Sequence, residues 1–306
     1  MTSYSNNPGR RHGHAAVAAA KANPPPHVVG YDSVRRCRPL LGTFVEISAS
    51  GVAETNLQSA INAAFAAMER IQNLLSAHDP ASELSRLNRD AASQAVIVSA
   101  ETFAVLRLAD RIATESGGAF DYTVAPMLAA WGLLPANLRR PNPGNWRDVL
   151  LLRKRTVRFL RPLALDLGGI AKGFAVDAAI EVLRGRGVEA ALVNAGGDLR
   201  VFGPQPSMIH LRHPTHPQTF AHTINLQRAA LATSSPCFTE RNWQGQRVSH
   251  LVNPLQATAI TGPVSVTVRA RECWLADALT KVVVNTPRRA EKLLAQYQAE
   301  AFMLTA

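Results

Sequence analysis

Apolar positions along the chain change period several times, and each change marks an element. Between Val52 and Leu75, the residues Leu57, Ile61, Ala64, Phe65, Met68 and Ile71 recur three and four apart, the spacing of one buried helix face. The run before it, Leu40 to Ser48, is short, enriched in strand formers and entered through Gly42, which predicts a strand. Pro80 ends the helical pattern, and Ser76 to Leu84 reads as a loop with a polar turn from Ser82 ahead of Leu84 and Leu87. A second helix is expected from Ala100 to Ser116, stopped by Gly117-Gly118, with Ala119 to Pro126 leading into Met127 to Trp131. Residues 132–145 are rich in Pro and Asn, and strands are expected at Val149 to Leu152 and Thr156 to Leu160.

Ala190 to Gly203 reads as strand, glycine turn, strand. Short runs at Met208 to Leu211, Ala221 to Ile224, Ala230 to Thr233, Val248 to Val252 and Val264 to Val268 then predict a mainly β region. Helices near Trp274 to Val284 and Pro287 to Gln298 and a last strand, Ala301 to Leu304, finish the pattern. Helices are interspersed with strands without regular βαβ alternation, so the fold class is α+β and not a doubly wound parallel sheet.

Composition narrows this picture. The 306 residues are 47% hydrophobic, enough for a large core, and no apolar run approaches the roughly 18 residues of a membrane helix. The net charge of +11 suggests nucleic acid until its placement is read: Arg10, Arg11, Lys21, Arg35, Arg36 and Arg38 all precede the first predicted strand. The remaining excess is scattered, with no basic stretch interleaved with aromatics, so no nucleic-acid partner is expected. Residues 1–34 carry Pro24-Pro25-Pro26 and much Asn, Gly, Ala and His, and are expected to be a disordered basic segment ahead of one folded domain at 35–306. Cys37, Cys237 and Cys273 are too widely spaced for a disulfide framework or a C-x-x-C zinc site. Arg10-Arg11 followed by Ala15 to Ala20 makes a weak export pattern, and no lipid-acceptor cysteine follows it; the expectation is a cytoplasmic protein, periplasmic only through an unrecognised signal.

The chemistry concentrates at Leu165 to Asp177, where an apolar run carrying Asp166, Gly168, Gly169, Lys172 and Gly173 becomes a helical pattern. Glycine lets backbone approach a ligand, the first N–H groups of a helix point outward, and Lys172 adds a charge, so the junction suits a phosphate; a plain strand-to-helix turn is the competing reading. It is neither a P-loop, since Gly173 and not Ser or Thr follows the lysine, nor a G-x-G-x-x-G fingerprint. The turn Asn194-Ala195-Gly196-Gly197-Asp198 follows the same helix.

These segments in this order resemble the ApbE-like flavin transferase family over about residues 37–304. The resemblance rests on Leu41-Gly42-Thr43, the stretch Ser82 to Asn88, Phe120-Asp121 with Thr123 to Pro126, Trp131-Gly132, the Asp166 to Asp177 block, Asn194 to Asp198, His250 to Pro254, and Ala276 to Leu279. It implies a single-domain, T-fold-like α+β fold with a mixed or antiparallel sheet and packed helices. The implied activity moves FMN from FAD to a Thr or Ser hydroxyl of an acceptor flavoprotein through a phosphoester, releasing AMP, with Mg²⁺ as cofactor. By the same resemblance Asp277 and the Gly169 carbonyl hold the metal, with Thr280 and Lys281 beside them, and Asp277 and His250 are catalytic. Leu41, His78, Thr123, Val124, Ala125, Asp166, Lys172, Asn194, Gly196, Gly197, His250 and Leu251 are implied to wall the cofactor. By residue type alone, His250 would be an edge-of-strand histidine, Asp166, Asp177 and Asp198 capping, surface or turn acids, and Phe120, Trp131 and Phe174 core aromatics.

The chain departs from the family pattern at four places. Lys281 stands where relatives commonly have Thr; on a helix it can ion-pair with Asp277 four residues earlier, or its ammonium can partly replace a metal. His78 stands where many relatives place a flavin-stacking tyrosine, Asn253 replaces a common Asp, and Ser235-Pro236-Cys237 replaces a glycine and an aromatic. Two other outcomes therefore stay open at this level: a flavin-binding protein without transferase activity, and an Mg²⁺-dependent FAD hydrolase giving FMN and AMP.

Overall fold

The computed structural model describes residues 33–140, 144–216, 218–237 and 239–305. A hairpin of β1 (Ser33–Leu40) and β2 (Thr43–Ser50) leads into α1 (Glu54–Leu75), α2 (Glu83–Asp90), β3 (Val96–Ile97), α3 (Ala100–Glu115) and α4 (Ala125–Ala130). Next come the hairpin β4 (Val149–Leu152) and β5 (Thr156–Phe159), then α5 (Ala171–Gly185), β6 (Ala190–Ala195) and β7 (Asp198–Phe202). The hairpin β8 (Ser207–Arg212) and β9 (Phe220–Leu226) precedes β10 (Ala230–Ser234), β11 (Arg241–Trp243), β12 (Gln246–Val248), β13 (Val252–Asn253) and β14 (Thr258–Ala259). β15 (Val264–Ala270), α6 (Cys273–Asn285), α7 (Pro287–Gln296) and β16 (Glu300–Thr305) close the fold.

Seven strands form one sheet in the order β1-β2-β6-β7-β10-β15-β16, and every neighbouring pair is antiparallel. The α+β class holds, and the sheet is wholly antiparallel where a mixed one was allowed. α1, α5 and α6 cover one face, where the predicted stripe of α1 joins Val45, Ile47, Val193 and Val268 in one buried cluster. Strand alternation sorts the rest: Leu199 and Val201 of β7 face a second cluster with Leu226, Leu231, Ile209 and Ile224, while Arg200 between them reaches Asp177 of α5 at 2.7 Å. Among the described residues no helix is long and apolar enough to cross a membrane.

Two elements differ from expectation. The strand expected from Leu40 is two strands joined by a turn at Leu41-Gly42, both with positive φ, so the chain is already in the sheet at Ser33, with Val34 buried. The boundary placed at residue 35 therefore falls inside β1, and the rest of the expected disordered segment, residues 1–32, lies outside the described residues. Ser82 to Leu84, expected as the polar turn that ends a loop, instead opens a helix over Glu83–Asp90 whose N-cap Ser82 accepts from the Ser85 N–H at 3.0 Å.

The start of α5 crosses the start of α6 at backbone distance. A Cβ on Gly173 would stand 2.4 Å from the Cys273 carbonyl oxygen and 2.7 Å from the Trp274 nitrogen, so only glycine permits the crossing. Asp177, one turn further along α5, accepts from the Cys273 and Trp274 N–H groups at 3.0 and 2.9 Å and so caps α6 from outside its own chain segment. Gly173→Ala is expected to destabilise the protein by about 2 kcal/mol, the order of overpacking against an unyielding backbone. Gly185→Ala, on the same helix with open space around it, is expected to be neutral or mildly stabilising. Urea midpoints compared at constant slope check both, and equal losses would contradict the crossing argument.

Candidate functional site

Seven segments meet around a cavity of about 610 Å³, within the range of small-molecule and cofactor clefts. The β1–β2 turn supplies Leu41, the end of α1 supplies Gln72 and Leu75, and the loop before α4 supplies Phe120, Asp121 and Val124. The α5 junction brings Asp166, Gly169 and Lys172, the end of β10 brings Ser234, and the segment after β12 brings His250 and Leu251 beside Lys281 of α6. Leu41 takes a left-handed φ of 55° and is held there by its N–H, which donates to the Gln72 side chain at 2.6 Å.

Beneath the cavity floor lies a chain of charges. Asp277 is fully buried; its Oδ1 binds the Lys281 ammonium, and Oδ2 accepts from the Gly173 N–H at 3.2 Å with the Lys172 ammonium 4.0 Å away. Lys281 also donates to the Asp277 backbone carbonyl at 3.0 Å, and Lys172 is ion-paired to Asp198, which is buried at the first position of β7. Burial alone would push the Asp277 carboxyl up, but Lys172, Lys281 and the Gly173 amide hold it below the ordinary carboxylate value. Asp198 goes the other way: burial and the neighbouring Asp277 charge raise it despite Lys172. Burial would lower the Lys172 ammonium, yet Asp198 and Asp277 hold it well above the ordinary lysine value, so it is charged throughout the physiological range.

The other titratable groups on the wall are tuned by crowding. Burial raises Asp166, whose Oδ1 accepts from the Gly168 N–H at 3.3 Å, with the His78, Lys281 and Lys172 charges opposing. His250 opens to solvent at the cavity, but the protein atoms around its ring, then Arg241 and His78, keep the imidazole below its ordinary 6.5. It is therefore neutral at pH 7.

Of the residues singled out from the sequence, Leu41, His78, Val124, Asp166, Gly169, Lys172, His250, Leu251 and Lys281 line this one cavity. The others do not line it. Thr123 bonds Asp121 through both its N–H and its hydroxyl, at 2.8 and 2.7 Å, and Ala125 is buried at the start of α4 among Ala129, Leu138 and Ala164. Asn194 accepts from the Gly197 N–H at 2.9 Å, and Gly196 and Gly197 both take positive φ in the turn that starts β7 with Asp198. Thr280 donates to the Asp277 carbonyl at 2.6 Å and meets the Ser234 hydroxyl at 2.7 Å, which ties α6 to the cavity end of β10. Gln72 and Asn285 line the cavity without having been anticipated. Gln72 had a signal, since it shares the helix face of Met68 and Leu75 and is the polar residue on that apolar stripe.

A divalent cation between Asp277 and Gly169 is tested by this packing. Both Asp277 oxygens are engaged, and the Lys281 chain passes Gly169 so closely that a Cβ there would stand 3.3 Å from Lys281 Cε. A doubly charged ion about 4 Å from that ammonium would be repelled by roughly 8 kcal/mol at an effective dielectric constant of about 20. Among the described residues no group of three or more His, Cys, Asp or Glu is placed to hold a metal. As packed, these residues do not fit Mg²⁺.

Residues 41–303 match the sequence model of the ApbE family. A Vibrio cholerae protein named FAD:protein FMN transferase is 30% identical over 81% of this chain and 80% of its own length. The crystal structure of the ApbE protein of Thermotoga maritima superposes with a TM-score of 0.79 at 29% identity, covering 89% of this chain and 94% of that one. The flavin transferase ApbE of Vibrio cholerae superposes with a TM-score of 0.73 at 26% identity, over 90% and 94% of the two chains.

Removing Lys172 leaves Asp198 and Asp277 sharing only Lys281. A buried acid whose folded pKa lies above its unfolded value weakens the fold as pH rises through that window, because the folded state binds the extra proton. Lys172→Met should deepen this for Asp198, so its stability deficit against the unaltered protein is expected to be larger at pH 8 than at pH 5 in urea titrations. A deficit independent of pH would mean that Lys172 does not set the Asp198 charge.

Proposed function

The chain belongs to the ApbE family, and we propose that it is an FAD:protein FMN transferase that joins FMN to a Thr or Ser hydroxyl of an acceptor flavoprotein and releases AMP. The observation that carries the reading is a cofactor-sized cavity whose wall joins an apolar side, from Leu41, Leu75 and Val124, to the ammonium groups of Lys172 and Lys281 and a neutral imidazole. FAD has this division: a large ring system and a diphosphate carrying two negative charges.

In this scheme the acceptor hydroxyl oxygen attacks the phosphorus on the FMN side of the diphosphate. An O–P bond forms, the bond from that phosphorus to the bridging oxygen breaks, and the bridging oxygen leaves with AMP. His250, uncharged at neutral pH, accepts the proton that the hydroxyl loses. Lys172 and Lys281 face the charge that gathers on the phosphoryl oxygens and the leaving group, and being already fixed by Asp198 and Asp277 they need little rearrangement to do so. The Leu41 turn, clamped by Gln72, and His78 form the wall available to the flavin ring. No step runs through a divalent cation, because the Lys281 ammonium is seated on Asp277 and its methylenes lie against Gly169, where such an ion would be repelled.

The reading is checked by incubating purified protein with FAD and a candidate flavoprotein acceptor while following AMP, free FMN and acceptor mass. The expected result is AMP in step with an acceptor heavier by one FMN phosphoester; AMP with free FMN and unchanged acceptor would make the protein a hydrolase. Turnover is further expected to fall on the acid side below pH 6.5 as His250 takes a proton, and His250→Gln is expected to lower turnover by about a hundredfold and to remove that limb. An acid limb that persists in His250→Gln would take the proton transfer away from this residue.

A further inference from the structure

The charge chain under the cavity holds more than ligand contacts. Lys281 is anchored twice, on the Asp277 side chain and on the Asp277 carbonyl, and its methylenes lie against Gly169. It thus spans the two positions, Asp277 and Gly169, between which a cation would have to sit, and places a positive charge at the edge of the same cavity. A helical spacing of four residues sets this geometry without help from any other segment. Lys172 reaches the other Asp277 oxygen from α5, so the carboxylate is answered from both sides by charges carried on the protein itself.

We propose that Lys281 is a built-in cation: the protein binds and positions the FAD diphosphate through the ammonium that Asp277 holds, and requires no divalent metal to do so. The inference rests on the flavin transferase reading above and adds to it how this chain neutralises the phosphate. An ammonium offers one charge where Mg²⁺ offers two; a second ammonium, Lys172, approaches the same carboxylate from α5 while paired to Asp198. In exchange the charge is held in place by the fold and is directional, since its Nζ has one hydrogen left for a phosphate oxygen after donating to the Asp277 side chain and carbonyl.

The test uses the purified full chain and two probes. FAD affinity is measured by flavin fluorescence in EDTA and in MgCl₂, and Mn²⁺ binding is measured by electron paramagnetic resonance, which reads the metal site without turnover. The unaltered protein is expected to bind FAD with the same affinity in both buffers, within about twofold, and to hold no stoichiometric Mn²⁺. Lys281→Thr is expected to lose about tenfold or more in FAD affinity in EDTA, to regain it with MgCl₂, and to take up one Mn²⁺. Lys281→Arg keeps the charge and is expected to remain insensitive to EDTA, which separates loss of the cation from loss of folding. FAD binding by the unaltered protein that collapses in EDTA, with one Mn²⁺ bound, would overturn the built-in cation while leaving the flavin reading intact. FAD bound in neither buffer would overturn that reading and the inference with it.

Discussion

A carboxylate taken wholly out of water must have its charge answered locally, and Asp277 is answered by the Lys281 ammonium, the Lys172 ammonium and the N–H of Gly173. Much of the architecture around the cavity follows from meeting that demand. The Gly173 amide can reach Asp277 only because α5 and α6 cross at backbone distance, which a side chain at Gly173 would block. Lys172 can stand near Asp277 because Asp198, delivered by the glycine turn between β6 and β7, holds it from the other side. The same crossing is locked one turn along by Asp177, which pairs with Arg200 and caps α6.

The segments that carry the family resemblance divide into those that face the cavity and those that hold the facing residues still. Ser82, Glu83 and Asn88 belong to the second kind. Ser82 caps α2, Glu83 accepts from the Ser99 N–H and hydroxyl, and Asn88 bonds both backbone groups of Leu165, at 3.0 and 2.7 Å. That last pair fixes the segment on which Asp166 is the next residue. A motif rich in polar side chains therefore serves buried backbone, where each unpaired group would cost about 1–3 kcal/mol.

How much was legible in the sequence follows from how each element is stabilised. The stripe of α1 and strand β6 announce themselves because burial repeats at the helix or strand period, while β7, β10 and β15 show as short runs buried at consecutive positions. β1 does not, because it is an edge strand: Arg35, Arg36 and Arg38 lie exposed along it, a composition that discourages edge pairing and hides the β pattern. α2 is a short polar helix with only Leu84, Leu87 and Asn88 buried, so too few apolar positions repeat to show its period, and its cap Ser82 reads as a turn residue. At the site, the i, i+4 pairing of Asp277 and Lys281 could be read from helical spacing alone. The role of Asp198 could not, since an acid after Gly197 looks like a turn residue until the fold brings Lys172 to it across a separation of 26 positions.

Opposing requirements meet in one small volume: a buried anion that the fold must neutralise, and a doubly negative diphosphate that the proposed reaction must neutralise. Two lysines held by two aspartates meet both, because each ammonium keeps hydrogen-bonding capacity toward the cavity after pairing below it. A crystal structure of the chain grown with FAD tests this most directly. The expected result is diphosphate oxygens within about 3.2 Å of the Lys172 or Lys281 ammonium, with Lys281 still on Asp277 and the flavin ring against Leu41 and His78. A diphosphate remote from both ammonium groups, or Lys281 swung away with a cation seated on Asp277, would contradict it.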